Sequence, residues 1–215
     1  ERVVAGRRRL EGQHEIGARG RYDNGSSIQF AAFYNRYKDF ISTQTIGTNA
    51  QGLTVFQYQN IGKVEIYGAE ARGEWRFHPE WTLTGAAAYA RGEDMDTGQP
   101  LDGVDPFRVM TGLGWQASPD SRFHGLGTDV NVTGALRNSR RATATEFKTP
   151  GYVVVDLLAH YDFTQNLTVN AGLFNVFNTQ YFLVPDVAGL SATNPLIDLY
   201  AQPGRYFAAN VTARF

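Results

Sequence analysis

The sequence predicts an all-β fold, an antiparallel transmembrane β-barrel wall, from three features. Apolar and polar residues alternate with period two along almost the whole chain, and helical periodicity is hard to find. The connections between alternating segments switch regularly between short and long. Aromatic side chains collect at the segment ends. A strand with lipid on one face and a polar interior on the other requires this alternation.

Nine strands are predicted. The first, about 11–22, sets Ile16, Ala18, Gly20 and Tyr22 against Glu15, Arg19 and Arg21. Asp23-Asn24-Gly25-Ser26 follows as a tight hairpin turn, because Asn-Gly accepts the positive φ such turns need. The second, about 27–41, turns Ile28, Phe30, Ala32 and Tyr34 outward. The third, about 54–77, is long. Its later half alternates Ala69, Ala71, Gly73, Trp75 and Phe77 with Glu70, Arg72, Glu74 and Arg76, whereas Val64 and Ile66 carry the opposite parity. Gly68 sits at the phase change, which predicts a β-bulge near it.

His78-Pro79-Glu80 turns the chain into a fourth strand (81–91), with Trp81, Leu83, Gly85, Ala87 and Tyr89 on one face. The fifth (107–117) alternates Phe107, Val109, Thr111, Leu113 and Trp115 with Arg108, Met110, Gly112 and Gln116. The sixth, about 127–137, places Val130, Val132, Gly134 and Leu136 opposite Asp129, Asn131, Thr133 and Arg137. In the seventh (151–163), Val153, Val155, Leu157, Ala159, Tyr161 and Phe163 oppose Asp156, His160 and Asp162. The eighth (167–177) carries Leu167, Val169, Ala171 and Leu173. The ninth runs from Arg205 to Phe215, with Phe207, Ala209, Val211, Ala213 and Phe215 on one face.

Short connections fall at 23–26, 78–80, 118–125 and 164–166, and long ones at 42–53, 92–106, 138–150 and 178–203. Short turns on one rim and long loops on the other are the layout of outer-membrane barrels, with the short turns toward the periplasm. Tyr22, Trp75, Phe77, Trp81, Trp115, Tyr161 and Phe163 are among the aromatics at strand ends, where amphipathic rings favour a lipid–water boundary. A soluble β-sandwich would also bury one face of each strand, but it does not call for aromatic rings at both rims.

Composition narrows the function classes. The 215 residues include no cysteine, which excludes disulfide frameworks and thiolate metal sites. A net charge of −1 gives no electrostatic case for nucleic acid. No run approaches the roughly 18 apolar residues of a membrane helix. The opening Glu1-Arg2-Val3-Val4 has no initiator Met and no apolar signal core, as in a mature protein or a piece of one.

Several stretches resemble one family. Asn60-Ile-Gly-Lys-Val-Glu-Ile-Tyr-Gly-Ala-Glu70 is similar to the opening of a late barrel strand in TonB-dependent outer-membrane receptors. Gly172-Leu-Phe-Asn-Val-Phe-Asn178, followed by Tyr181, resembles the family's penultimate strand, and Gln202-Pro-Gly-Arg-Tyr-Phe207 running to Phe215 its closing strand. Gly98-Gln-Pro-Leu-Asp-Gly-Val-Asp-Pro106 is similar to a stretch of the heme and hemoglobin uptake branch. The resemblance implies that residues 1–215 are about nine C-terminal strands of a 22-stranded barrel, with the plug domain and earlier strands absent. An odd number of strands does not close in the usual bacterial manner, so a remainder is expected elsewhere.

The resemblance further implies an active transport receptor in the outer membrane of a Gram-negative bacterium, energised through TonB. Its ligand would be iron-bearing, heme or a ferric siderophore, with no resident cofactor. Implied partners are outer-membrane lipid, the TonB complex through the missing N-terminal region, and the barrel assembly machinery. Phe207, Ala209, Val211, Ala213 and Phe215 resemble the signal which that machinery reads. A passive porin-like channel and an outer-membrane enzyme are the competing readings. No His lies on a predicted outer loop beside a Ser or Asp, and there is no phosphate loop or nucleophile elbow. His78 and His124 fall in short turns, His160 faces the lumen, and His14 lies near the outer rim on the lipid-facing parity. The long loops are the expected capture surface, with Arg140, Arg141, Tyr181, Phe182 and Tyr200 as candidates for an anionic, aromatic ligand.

Overall fold

The computed structural model describes residues 9–214. The strands are β1 (Arg9–Arg21), β2 (Ser27–Lys38), β3 (Ile41–Thr48), β4 (Thr54–Asn60), β5 (Val64–His78) and β6 (Trp81–Asp94), then β7 (Arg108–Gln116), β8 (Leu126–Ala135), β9 (Tyr152–Thr164), β10 (Leu167–Phe174) and β11 (Tyr206–Ala213). Nine form one sheet in the order β1-β2-β5-β6-β7-β8-β9-β10-β11, every neighbour antiparallel. The expected alternation of short and long connections holds around it. Within the described residues the sheet is open, and β1 and β11 are its edges.

Two expectations are corrected. The stretch 54–77 is not one strand: it breaks at Ile61-Gly62-Lys63, where Gly62 has φ 74°. Its first part returns along 41–48 as a separate β3–β4 hairpin within the first long connection. The Phe40 and Ile61 N–H groups donate to Gly62 O and Phe40 O at 3.1 and 2.9 Å and close the hairpin's base. At the tip, Asn49 Oδ1 accepts from Gln51 N and Leu53 N, and Gly52 supplies φ 77°. The hairpin escapes a pattern search because Ser42–Thr48 has no apolar face for alternation to mark.

The second correction concerns Gly68. Pairing is unbroken there on both sides, and the β5–β6 register shifts instead between Arg76 and His78. Gly68 lies opposite Phe33, and a Cβ on it would stand 2.7 Å from Phe33 Cζ and run into the Tyr89 carbonyl. The glycine is a seat for that ring. The phase change arises because loops cover the inner face at this rim. Val64 is fully buried, and Leu101 and Val104 come within 3.0 Å of where a Gly92 Cβ would be.

The outward face is apolar yet uncovered. Register aligns Ile28, Gly73, Gly85, Thr111, Val132 and Val155 across six strands, and Phe30, Ala71, Ala87, Val109, Gly134 and Val153 on the next rung. Ile16 is 74% exposed and Val153 57%, values that an aqueous surface does not favour but a lipid one does. At the short-turn rim Trp75 packs on Phe77 (centroids 5.4 Å apart) and Tyr161 on Phe163 (4.7 Å), while Trp115 Nε1 donates to Glu80 Oε2 at 3.0 Å. Phe77 to Tyr67 is ten strand steps; at about 3.3 Å per residue and a tilt of about 40°, these rings lie about 25 Å apart in height, the thickness of an outer-membrane apolar band.

The inward face is polar and makes room by using small residues. Thr84, Gly112, Asn131 and Asp156 form one rung, and Gln116, Gly127, His160, Asn170 and Asn210 another. The His160 ring lies over Gly127, and Asn131 over Gly112. Arg72 Nε and Nη2 donate to Gln29 Oε1 at 3.1 and 2.8 Å, and Arg76 pairs with Glu74 at 2.7 Å.

Gly68→Ala forces Phe33 and the Tyr89 carbonyl apart and costs about 1–3 kcal/mol as overpacking. Gly85→Ala meets only Met110 O, at 4.0 Å. Heat-modifiable gel migration of the whole protein is expected to show a reduced folded fraction for the first and an unchanged one for the second.

Candidate functional site

The three later long connections, 95–107, 136–151 and 175–205, pack together over the inner face. Asn175 and Asn178 begin the last of them. Both take positive φ, 49° and 54°, which Asn tolerates better than most side chains. Asn175 is buried. Its Nδ2 donates to Thr179 O at 2.8 Å and Pro203 O at 3.2 Å, its Oδ1 accepts from Thr179 N at 2.8 Å, and its own N–H reaches Asp156 Oδ1 at 2.7 Å. Asn178 Oδ1 accepts from Arg205 N at 2.8 Å. The two asparagines thereby tie both ends of this loop to the top of β10.

Between those ties Phe182, Val187 and Leu190 form a small core, with Phe147, Ile197 and Ala201 packed against it. Phe147 and Phe182 meet edge-to-face, their centroids 5.1 Å apart. Main-chain bonds from Phe147 N to Leu190 O (2.8 Å) and Ala192 N to Thr145 O (2.9 Å) join the second and third loops. Asn138 Nδ2 to Val104 O (3.1 Å) and Ala142 N to Asp102 Oδ1 (3.4 Å) join the second to the first.

A buried polar cluster lies where all three meet. Glu146 Oε1 accepts from Thr143 N at 3.0 Å and Thr143 Oγ1 at 2.8 Å, and residue 146 bridges to Ser191. Burial pushes the Glu146 carboxyl up to about 7, and the adjacent Asp102 carboxyl adds to the effect. Arg141 Nε donates to Phe147 O at 2.7 Å, and neither of its Nη atoms has a hydrogen-bond partner. Burial lowers the Arg141 guanidinium from its ordinary value, against the pull of Asp102 and Glu146. Burial also raises the Asp105 carboxyl at the next turn of the first loop, where Arg108 opposes the shift.

The expected ligand residues fall into different settings. Arg141 and Phe182 are buried inside the cluster and the core. Tyr181 packs against Tyr152 with the rings tilted by 38° and their centroids 4.5 Å apart. Arg140 Nη2 pairs with Glu93 Oε1 at 2.7 Å. Tyr200 is exposed, next to Leu199 (77% exposed) and near Leu196. The loop cluster therefore brings Arg141 and Phe182 into one scaffold and offers Tyr200 outward. Sequence reasoning missed Asp102 and Glu146, because no local spacing marks two carboxyls brought together from separate loops. It also missed Leu196 and Leu199, whose exposure is a tertiary property.

Below the loops, Ala31, Ala86 and Ala88 leave a depression of about 540 Å³ on the inner face, flanked by Glu70, Arg72 and Arg108. Among the described residues no group of three His, Cys, Asp or Glu is placed to hold a metal. Phe207, Ala209, Val211 and Ala213 share the outward face of β11, and Phe215 lies outside the described residues.

Loop closure should depend on pH through Glu146. The closed junction keeps its proton up to about pH 7, whereas an exposed glutamate releases it near 4.5. The stabilisation is therefore complete below about 4.5 and lost as pH rises through about 7. Amide exchange of the 141–147 and 190–192 backbone in the whole protein, corrected for intrinsic rate, is expected to be slower at pH 5 than at pH 8. Glu146→Gln, neutral at both, should remove the difference.

Comparison with known proteins gives this arrangement its family. The description "TonB dependent receptor-like, beta-barrel" matches over residues 13–176. The ferric enterobactin receptor PirA of Pseudomonas aeruginosa is 26% identical over 214 aligned positions, covering 94% of this chain and 27% of that protein. Hemoglobin-haptoglobin utilization protein B of Neisseria meningitidis is 22% identical, with 94% of this chain and 30% of that one covered. Among solved structures, the copper transporter OprC superposes with a TM-score of 0.80 at 21% identity, covering 94% of this chain and 32% of its own. The ferric enterobactin receptor PfeA of Pseudomonas aeruginosa gives 0.70 at 20% identity, covering 94% and 31%. The chain thus spans about a quarter to a third of the length of these relatives. An open antiparallel sheet with an uncovered apolar outer face, a polar inner face and long loops on one rim belongs to the TonB-dependent receptor family, as a C-terminal part of its barrel in the outer membrane of a Gram-negative bacterium.

Proposed function

We propose that this chain supplies part of the wall and of the outer capture surface of an active transporter for an iron-bearing ligand, heme or a ferric siderophore. The supporting observation is the loop cluster. Three long loops fold over the polar inner face on a core of their own, and one of them presents Tyr200 and Leu199 away from that core. Exposed aromatic and apolar groups on a pinned loop suit a large, flat or aromatic ligand. The names of relatives agree with iron: ferric enterobactin for PirA, and hemoglobin-haptoglobin for the Neisseria protein.

In this reading residues 1–215 form one wall segment of a 22-stranded barrel whose plug and earlier strands lie in the remainder of the protein. Ligand binds first at the loops, where Tyr200 makes direct contact. Arg140 adds positive charge, while Arg141, Tyr181 and Phe182 hold the loop in shape. The TonB complex, reached through the plug region, then drives a rearrangement that opens the lumen. Lumen charges such as Arg19, Glu70, Arg72 and Arg108 face the plug. No bond is made or broken. Outer-membrane lipid surrounds the wall, and the barrel assembly machinery recognises the Phe207–Phe215 strand.

Titration of the whole purified protein with hemin, following the Soret band, and with a ferric catecholate siderophore, following tryptophan quenching, tests this reading. One of the two should saturate, and Tyr200→Ala should weaken it by about tenfold, equivalent to about 1.4 kcal/mol, without changing the folded fraction. Uptake that persists in cells lacking TonB would favour a passive channel instead.

A further inference from the structure

The outward face is hollow just above the short-turn rim. A depression of about 750 Å³ lies there across β2, β5, β6 and β7, within the ~300–1,000 Å³ of ligand pockets. Gly73 and Gly85 form its floor, with Ile28, Leu83 and Thr111 around them. Tyr22 and Trp75 flank it on the rim side, and the turn residues Asp23, Asn24 and Ser26 lie at its mouth. Two glycines of this region serve their own neighbours. A Cβ on Gly20 would stand 3.3 Å from Ile28 Cγ2, and one on Gly73 3.2 Å from the Ser27 carbonyl. Gly85 has no such reason, since its Cβ would meet only Met110 O, at 4.0 Å. Pairing is unbroken at Gly85 on both sides, so it marks no bulge. A strand glycine costs backbone entropy, and one with neither bulge nor close neighbour points to a ligand's approach. Thr111 Oγ1 donates to Thr84 O at 3.1 Å, so its hydrogen does not face the hollow.

Height and chemistry restrict the occupant. Gly73 lies four strand steps from Phe77, about 10 Å in height at ~3.3 Å per residue and ~40° of tilt. The floor is therefore at acyl-chain depth in the leaflet next to the short turns, and the mouth is at the level of its head groups. The lining changes in the same order. Asn24 and Ser26 fix the turn to β5: Asn24 Nδ2 donates to Arg76 O at 3.2 Å, and Ser26 Oγ accepts from Arg76 N at 3.0 Å. Asp23 has no ion-pair partner among the described residues, which leaves one free carboxylate at the mouth. Tyr22 and Trp75 are exposed, and their hydroxyl and indole N–H have no protein partner among the described residues. Amphipathic rings at this boundary offer such donors to ester and phosphate oxygens. An unfilled hollow in lipid forfeits dispersion contacts along its walls. A molecule with a cationic end, an anionic joint and an apolar tail matches the groups from mouth to floor.

We propose that this hollow holds one phospholipid of the periplasmic leaflet with a primary ammonium head group. One acyl chain lies over Gly73 and Gly85, the ammonium meets Asp23, and Tyr22 and Trp75 donate to the phosphate or ester oxygens. The site depends on the lipid-facing outward face and not on any transported ligand.

The test exposes the whole receptor in nanodiscs to an equimolar mixture of phosphatidylethanolamine, phosphatidylcholine and phosphatidylglycerol, and reads retained lipid by native mass spectrometry. Wild type should keep one phosphatidylethanolamine in preference to the other two. Gly85→Leu, which fills the floor, should lower retention about tenfold, the equivalent of about ten lost carbon contacts. Val153→Phe, which adds bulk to the same face at the opposite rim, should keep it. Asp23→Asn should leave a lipid bound but reduce the preference over phosphatidylglycerol by about fivefold. Equal retention by wild type and Gly85→Leu, equal loss in Gly85→Leu and Val153→Phe, or an unchanged preference in Asp23→Asn would each overturn the site. So would a receptor dimer that Gly85→Leu dissociates, which would give the hollow to a second copy of the chain. Should Gly85→Leu fold poorly, Gly85→Ala has room for its methyl and should weaken retention in the same direction; no change there counts against the site. Hemin or siderophore titration of the same preparations should be unaffected by Gly85→Leu and reads the transport proposal separately.

Discussion

A bilayer offers no water to an unpaired backbone N–H or C=O, so a lipid-facing strand must be hydrogen-bonded on both sides. Much else in this structure follows from that constraint. It requires antiparallel ladders that run without interruption from β1 to β11, and it tolerates glycine on those ladders where a neighbouring side chain needs the room. Gly68 yields its space to Phe33, Gly127 to His160 and Gly112 to Asn131, and the pairing through each stays intact. It also dictates where irregular backbone may lie. Gly62, the β3–β4 hairpin and the Asn175–Asn178 corner all sit at the long-loop rim.

The same constraint explains what was legible in the sequence. Nine sheet strands, their order and the alternation of short and long connections follow from period-two patterning, because lipid on one side imposes a chemical difference on every second residue. The signal fades where both faces meet the same medium. β3 has no apolar face to mark it and was absorbed into a loop, while β4, which alternates Phe56 and Tyr58 with Gln57 and Gln59, was absorbed into a long strand. At Val64 and Ile66 the inner face is covered by loop side chains, so apolar residues appear on both parities and imitate a bulge. Glycine at a phase change is ambiguous by itself, and only the position of Phe33 across the ladder shows why Gly68 is there.

The loop cluster was the least legible part. Even its first tie is misplaced by the alternation, which puts Asn175 to Phe177 inside a strand over 167–177, whereas β10 ends at Phe174 and Asn175 turns the chain with positive φ. Its tertiary contents could not be read either. Arg141 and Phe182 look like surface residues in a basic and an aromatic loop, yet both are buried, and the ionisable groups that gather around Arg141 come from loops some 40 residues apart. A buried Glu146 carboxyl beside a half-buried Asp102 and a buried arginine costs desolvation that a surface loop would not bear without tight packing around it. The small Phe182–Val187–Leu190 core provides that packing, and it makes the outer rim a folded object in its own right.

The central claim is that the Ala71, Ala87 and Val109 parity meets lipid and the Glu70, Ala86 and Arg108 parity meets the lumen. These 215 residues contain no cysteine, so single cysteines placed in them report without background once any cysteine in the rest of the protein is replaced. Ala71→Cys, Ala87→Cys and Val109→Cys in the whole protein, carrying a fluorophore, should be quenched by bromolipid and resist an aqueous thiol reagent. Glu70→Cys, Ala86→Cys and Arg108→Cys should escape the bromolipid. Equal quenching on both parities, or the reverse pattern, would contradict the account.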